Sequence, residues 1–575
     1  METAKSLPQF LPTTLEETKL LGWDDLEIIL VSGDSYIDRP QIGVAVIGRV
    51  LAQAGYRVGI IAQPDVQNPG DIARLGEPTL FWGVTAGSVD SLVANYTASR
   101  KKRRTDDYTP GGINNRRPDR ASMVYTNLIR RNFKNTRPIV LGGIEASLRR
   151  IAHYDYWSDR VRASILLDAK ADLLLYGMAE GSILELAETL KKGNDPHDIR
   201  GLCYVTSEKK AGYLELPDYE TVAADKNAFT QMFHLFYQNN DPSSARGLFQ
   251  RHGSRYLIQN PPAPYADQKQ LDAIYALPFT RTQHPFYERQ GKVKALETIQ
   301  FSITTHRGCY GECNFCAIAV HEGRTVRWRS HESIIDEAKQ FTQHSEFKGV
   351  IQDVGGPTAN MYGFECTKKL KSGSCPAKRC IYPEVCSQLK VDHASQVKLL
   401  QSLRKIPGVK KVFVASGLRY DLILRDKQHG EQYLREVVAH HVSGQMKIAP
   451  EHTDEKVLRL MGKPDTRSLL AFKDQFNRLN EESGKRQFLT YYLIAAYPGC
   501  SEREMRALNQ FASQKLVTQP SQKQLVTPTP SPHATLMYYT ETDPFTGEHL
   551  FVEKEASRKD HQKNIITGKP SRGNP

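Results

Sequence analysis

His306-Arg307-Gly308-Cys309-Tyr310-Gly311-Glu312-Cys313-Asn314-Phe315-Cys316 is the stretch from which the rest of the chain can be read. Three residues separate Cys309 from Cys313 and two separate Cys313 from Cys316. One loop can therefore bring three thiolates to three corners of an iron–sulfur cube. Thiolates are the ligands such clusters require, and an iron left without a protein ligand is a place for chemistry. With nine Cys in 575 residues, chance would supply roughly 0.002 such triplets per chain, so the spacing is informative. A zinc knuckle is the rival reading, but structural zinc takes four ligands, usually as two close pairs. The spacing favours the cluster.

The triplet, with the aromatic Phe315 directly before its last Cys, resembles the radical S-adenosylmethionine (SAM) enzymes. More specifically, the chain resembles the YgiQ-like family from about residue 25 to about residue 560. That resemblance implies a 4Fe–4S cluster on Cys309, Cys313 and Cys316 whose open iron takes the amino and carboxylate groups of SAM. It further implies reductive cleavage to methionine and a 5′-deoxyadenosyl radical, with Phe315 against the adenine and an external one-electron reductant of the flavodoxin or ferredoxin type. Gly355-Gly356-Pro357 resembles the family's glycine-rich motif for the methionine amino group, with Pro357 where many members have Glu. Two glycines let backbone carbonyls approach a ligand closely. In Ser416-Gly417-Leu418-Arg419-Tyr420-Asp421, Ser416 and Arg419 are candidates for the ribose and carboxylate, the latter suited by the planar guanidinium fork. The resemblance names no substrate. A reading of a different class is an iron–sulfur electron-transfer module that does not cleave SAM.

A chain of this length exceeds one core and suggests two or three domains. The hydrophobic content of 39% and charged content of 25% are those of an ordinary globular protein. No run of 18 apolar residues or secretion signal is present, so no membrane contact is expected and the expected location is cytoplasmic. Clustered cysteines read as metal ligation in a reducing compartment. The net charge of +13 is uneven: Arg100 to Arg137 holds twelve Lys or Arg against three Asp. That surplus would attract a phosphate-rich partner such as RNA, although a solvated loop explains it more simply.

The expected fold class is α/β. Short apolar strands at Glu27–Val31, Arg57–Ile61, Thr79–Trp82, Ile139–Leu141 and Asp172–Tyr176, separated by helical stretches, argue for an N-terminal doubly wound parallel-sheet domain over 1–204. Leu141 to Ser147 and Tyr176 to Gly181 resemble the cobalamin-binding-type domain ahead of many radical SAM cores. The stretch Ser32 to Asp38 offers no His where an Asp-x-His-x-x-Gly loop would place one, so cobalamin is not expected. A docking or covering role, with Asp34, Glu145 and Arg149 as substrate contacts, is expected instead. Residues 205–295 read as a polar connector. A partial (β/α)6-type radical SAM barrel follows over 296–515, with the cluster loop at the C-terminal end of its first strand, where parallel barrels carry their chemistry. Five strand–helix units are visible and a sixth strand is weaker in the pattern. Residues 516–575 read as a short C-terminal extension, with Thr535 to Tyr539 as a last strand or lid and a disordered tail.

Within the barrel, a Cys-rich insertion at 362–390 carries Cys366, Cys375, Cys380 and Cys386 in Lys-rich and Gly-rich surroundings. A second metal, zinc or iron–sulfur, would give an otherwise coreless loop its fold. The spacings match neither common zinc pattern closely, and free thiols are the alternative. Cys203 and Cys500 read as packed residues.

Overall fold

The computed structural model describes residues 7–376, 378–516 and 522–567. The chain divides into two units, with Gln300 closing the first and Phe301 opening the second.

The first unit is built on a nine-stranded sheet. Val58–Ala62, Ile28–Ser32, Phe81–Thr85, Ile139–Gly142 and Leu173–Leu175 lie side by side, all parallel, so the first two strands of the chain exchange places in the spatial order. Ile28–Ser32 and Val58–Ala62 are buried along their whole length, as a strand covered on both faces must be, and this is why they read as unbroken apolar runs. The point where strand order reverses lies between Ile28–Ser32 and Phe81–Thr85, and open parallel sheets present their ligand crevice at such a place.

Residues 205–295 are more than a connector. Leu214–Leu216, Leu248–His252 and Arg255–Gln259 continue the same sheet, joined to Leu173–Leu175 through the antiparallel strand Leu202–Thr206. Helix Lys226–Gln238 buries Phe229, Met232, Phe233 and Phe236. That is a helical stripe, each side chain contributing about 1.5–3 kcal/mol on burial. Scattered polar residues around these short elements mask their periods.

The second unit is a run of parallel neighbours. Ser302–Thr304 pairs with Asp353–Gly355, Val350–Ile351 with Lys411–Val412, Gln445–Glu451 with Phe488–Ala495, and Phe488–Ala495 with Gln522–Leu525. A single parallel bridge, Leu418 to Ile448, links the third and fourth positions. Helices His331–Gln343, Ala394–Arg404, Gly430–His440 and Thr466–Glu482 cover it, and Ile334, Phe341, Leu400, Val437 and Phe472 meet in one core. This is the expected partial barrel. Its sixth strand comes from the segment expected as an extension.

Two further expectations are corrected beyond that strand. Thr535 to Tyr539 lies in a helix, His533–Thr540, and not in a strand. The tail is helical over Ala556–Thr567 and packs on helix Glu502–Phe511. Lys559 is buried and donates to the Tyr538 hydroxyl at 2.8 Å, and Ile566 is buried in a small apolar group, so a polar sequence is anchored by two side chains. Residues 568–575 of the expected disordered tail lie outside the described residues.

Candidate functional site

The cluster loop leaves the first barrel strand through Thr305 and the short strand His306–Arg307, which pairs antiparallel with Arg327–Trp328. Gly308 turns the chain with φ +78°, and a Cβ there would lie 2.4 Å from the Thr325 carbonyl oxygen, so only glycine fits. Cys309, Cys313 and Cys316 are all partly exposed. The Gly311 N–H reaches the Cys309 sulfur at 3.3 Å. A Cβ on Gly311 would stand 3.2 Å from the Cys309 sulfur, 3.5 Å from the Cys313 sulfur and 3.5 Å from Arg419 Nη1. The loop thus keeps a cradle between two thiols that any side chain would begin to fill. Burial, with Cys313 nearby, pushes the Cys309 thiol up, and burial does the same to Cys316. A metal must displace those protons to bind.

Asn314 uses every polar group it has. Its N–H donates to Met461 O at 2.9 Å and its side-chain amide to Leu460 O at 2.7 Å. Its carbonyl accepts from the Ala534 N–H at 2.7 Å, and its Oδ1 accepts from Arg379 at 2.7 Å. The loop between the second and third cysteines is therefore fixed by three elements distant in sequence.

The structure brings the glycine-rich motif to this loop. Thr358, next to Pro357, has its hydroxyl 3.6 Å from the Cys309 sulfur, and the Met361 sulfur lies 3.8 Å from it. Gly355 is less available than its type suggests, because its carbonyl already accepts from Thr305 N–H at 2.7 Å and Thr305 Oγ1 at 3.1 Å. Gly356 packs on His306, whose imidazole a Cβ would meet at 2.6 Å. Phe315 packs on the apolar group of Leu460, Leu493, Ala495 and Tyr497, with the Tyr497 ring edge-on at 6.4 Å.

Ser416 and Arg419 are committed to the protein. Ser416 donates its hydroxyl to Asp353, which also receives the N–H of Ala415 at 2.8 Å. Arg419 is buried, forks onto Asp421 at 2.8 and 2.5 Å, and directs Nη1 to the Cys313 sulfur at 3.7 Å. Burial disfavours its charge, yet the Asp421 carboxylate holds its pKa above the ordinary value. Among the predicted residues, Arg419 thus meets a cysteine and not open space.

In the insertion, Cys366 is buried in the apolar group of Tyr310, Met361 and Phe364, and Cys380 and Cys386 pack against that group together with Cys309. Among the described residues, no three of the four insertion thiols have sulfurs within 4.8 Å of one another.

The sequence reading missed three residues that the geometry makes prominent, Thr358, Met361 and Glu312, and it named Glu451 only as one of several strand-end candidates. Glu451 ends strand Gln445–Glu451 with φ +70° and is buried, with Oε2 lacking a hydrogen-bond partner. Burial pushes its carboxyl up, opposed by Lys463 and Arg419.

In the first unit, the strand ends at the order reversal hold a buried ion network. Arg117 reaches Asp34 at 2.7 Å, Asp106 at 3.0 Å and the Ala86 carbonyl at 2.5 Å. Glu145 accepts from the N–H groups of Ser91 and Ser122 at 2.8 and 3.2 Å, and Arg149 pairs with Asp90. The basic stretch is thereby partly neutralised, since Arg120 and Arg130 also pair with Asp155 and Asp172.

The Radical SAM N-terminal family matches residues 10–302. A UPF0313 protein of Fusobacterium nucleatum is 56% identical over 98% of this chain and 99% of its own length. One from Thermotoga maritima is 49% identical over 98% and 99%. Among solved structures, TsrM from Kitasatospora setae, a radical S-adenosylmethionine methyltransferase with cobalamin and a 4Fe–4S cluster bound, is similar with a TM-score of 0.51. It is 14% identical, covering 88% of this chain and 77% of that one, a likeness of fold. That fold carries cobalamin in TsrM, which overturns the expectation against cobalamin here. The missing imidazole in Ser32 to Asp38 bears on what ligates cobalt, not on whether a corrinoid can lie on such a sheet.

Proposed function

Since the chain belongs to the UPF0313 family of the radical SAM superfamily, we propose that it is an enzyme that reductively cleaves SAM on a 4Fe–4S cluster held by Cys309, Cys313 and Cys316. The observation that carries this reading is the three-thiol loop with a glycine cradle, faced by Thr358 on one side and by Arg419 on the other. Cys309, Cys313 and Cys316 would hold such a cluster, which would supply the electron for SAM cleavage.

The chain's own residues bind and orient. Arg419 donates to the Cys313 sulfur, a kind of contact that tunes clusters. Phe315 and Tyr497 offer an apolar wall for adenine. Gly356 and Pro357 supply the backbone toward the methionine amino group, with Gly355 fixed from behind by Thr305. Among the described residues no helix is long and apolar enough to cross a membrane. An external flavodoxin- or ferredoxin-type donor would supply the electron.

The test is chemical. Anaerobically reconstituted protein, reduced with dithionite and given SAM, is expected to release 5′-deoxyadenosine. A fully loaded protein that releases none would be an electron-transfer module.

The insertion supports a second proposal, a metal centre of zinc or iron–sulfur on Cys366, Cys375, Cys380 and Cys386, since Cys366, Cys380 and Cys386 share one apolar group. A variant with Cys309, Cys313 and Cys316 replaced is then expected to retain zinc or iron. Metal-free protein from that variant would leave these thiols as packed residues.

A further inference from the structure

Glu312 stands between Cys309 and Cys313 in sequence, and it is buried, 6% exposed, on a left-handed backbone with φ +45°. A non-glycine residue held there costs free energy that the surroundings must offset. The surroundings are charged. Its carboxylate faces Arg324 at 3.7 Å and Lys369 at 3.6 Å. Both cations are buried, Lys369 at 3% exposed. Lys369 also donates to the Arg324 carbonyl at 2.6 Å and to the Cys380 sulfur at 3.4 Å. From the same insertion, Arg379 donates to the Glu312 carbonyl at 3.0 Å and to Asn314.

One anion and two cations thus sit in the wall of the cluster loop, out of water, where charge interactions are screened least. Glu312 stands in the loop that carries Cys309, Cys313 and Cys316, and Lys369 reaches it from the insertion. Building such a cluster of charge into a buried place is expensive and adds little to stability, so its value must lie elsewhere. The geometry points to Lys369 and Glu312 as positioning residues that set the reduction potential of the cluster, with the Cys-rich insertion as the element that delivers the lysine. This inference rests on the reading of Cys309, Cys313 and Cys316 as cluster ligands.

The step concerned is the uptake of one electron from the external reductant, with no bond made or broken. Reduction adds one negative charge to the cluster, and potentials follow local net charge. A neighbouring cation therefore stabilises the reduced state and a neighbouring anion destabilises it. Lys369→Met should shift the midpoint potential down, Glu312→Gln should shift it up, and the double variant should return toward the parent value. Lys369→Arg, which keeps the charge, should leave it nearly unchanged.

The experiment is an anaerobic redox titration of the full-length reconstituted protein, followed by electron paramagnetic resonance of the reduced cluster. Iron and sulfide are measured on each sample. Parent protein without a cluster would overturn the functional reading and this inference with it, whereas a loaded parent isolates the inference. With the parent loaded, opposite shifts in the two single variants support the inference. Shifts of the same sign, or none, overturn it, because a merely mechanical clamp has no reason to distinguish loss of a positive charge from loss of a negative one. If Lys369→Met fails to load, the isosteric Glu312→Gln decides alone: an upward shift supports the inference and any other result overturns it.

Discussion

Replacing Cys309, Cys313 and Cys316 together by Ala is expected to remove about one cluster's worth of iron and sulfide from anaerobically reconstituted protein, and to abolish 5′-deoxyadenosine release. On the proposed reading each thiolate holds a separate corner, so the effect should be complete. Cys309 has Gly311, Thr358 and Met361 around its sulfur. The fold should survive, since the loop's attachment through Asn314 and Gly308 does not pass through sulfur. Iron and acid-labile sulfide assays, alongside far-ultraviolet circular dichroism, measure both halves of the expectation. An unchanged iron and sulfide content in the triple variant would refute the assignment, unless the remaining iron is traced to the insertion by its own cysteine variants.

Arg419→Met is expected to destabilise the second unit by about 3–5 kcal/mol at neutral pH, because it strands a buried carboxylate. Asp421 is almost fully buried, and although burial alone would raise its pKa, the Arg419 guanidinium holds it below the ordinary carboxylate range. The sign with pH follows. A depressed carboxyl contributes stability above its unfolded pKa of about 3.9 and loses it as pH falls. In the variant burial is opposed only by the more distant Lys463 and a backbone hydrogen bond, the pKa rises, and protonation relieves the stranded charge. The gap between parent and variant should therefore narrow from pH 7 toward pH 4, as read from denaturant midpoints. A gap that stays constant would show that the loss is one of packing. Arg419→Met with Asp421→Leu should recover much of the loss at pH 7, since well-packed apolar pairs replace buried ion pairs at little cost.

What could be read from the sequence was what is local. The Cys spacing, the strand ends that follow one another down the barrel, and the unbroken apolar runs of Ile28–Ser32 and Val58–Ala62 each carry their meaning within ten residues. The helical stripe Phe229, Met232, Phe233, Phe236 was equally local, and went unread because polar neighbours and two short strands surround it. Other features depend on distance. Ser416 has the chemistry for a ribose, but Asp353 lies across the parallel pair and takes its hydroxyl. Arg419 has the fork for a carboxylate, and the carboxylate it holds is two residues away. The pairing of Glu312 with Lys369 crosses from the cluster loop to the insertion, and no periodicity announces a pair of that kind. The sixth strand, Gln522–Leu525, is polar at most positions and becomes a strand only because Phe488–Ala495 offers it an edge.

The four hydrogen bonds of Asn314 also impose an order in time. Its amide partners at Leu460 and Met461 follow it on the ribosome, and the N–H that closes its carbonyl belongs to Ala534, 220 residues later (534 − 314). At synthesis rates of about 5–20 residues per second, that last donor emerges roughly 10–45 s after the loop it fixes. Throughout that interval the loop has its cysteines but not its final shape, exposed to oxygen and to every thiol-reactive species nearby. Loading of metal during synthesis would thus act on an open loop, and loading after release would act on one already locked from the far end of the chain. Maturation, and not only catalysis, is therefore written into a single asparagine.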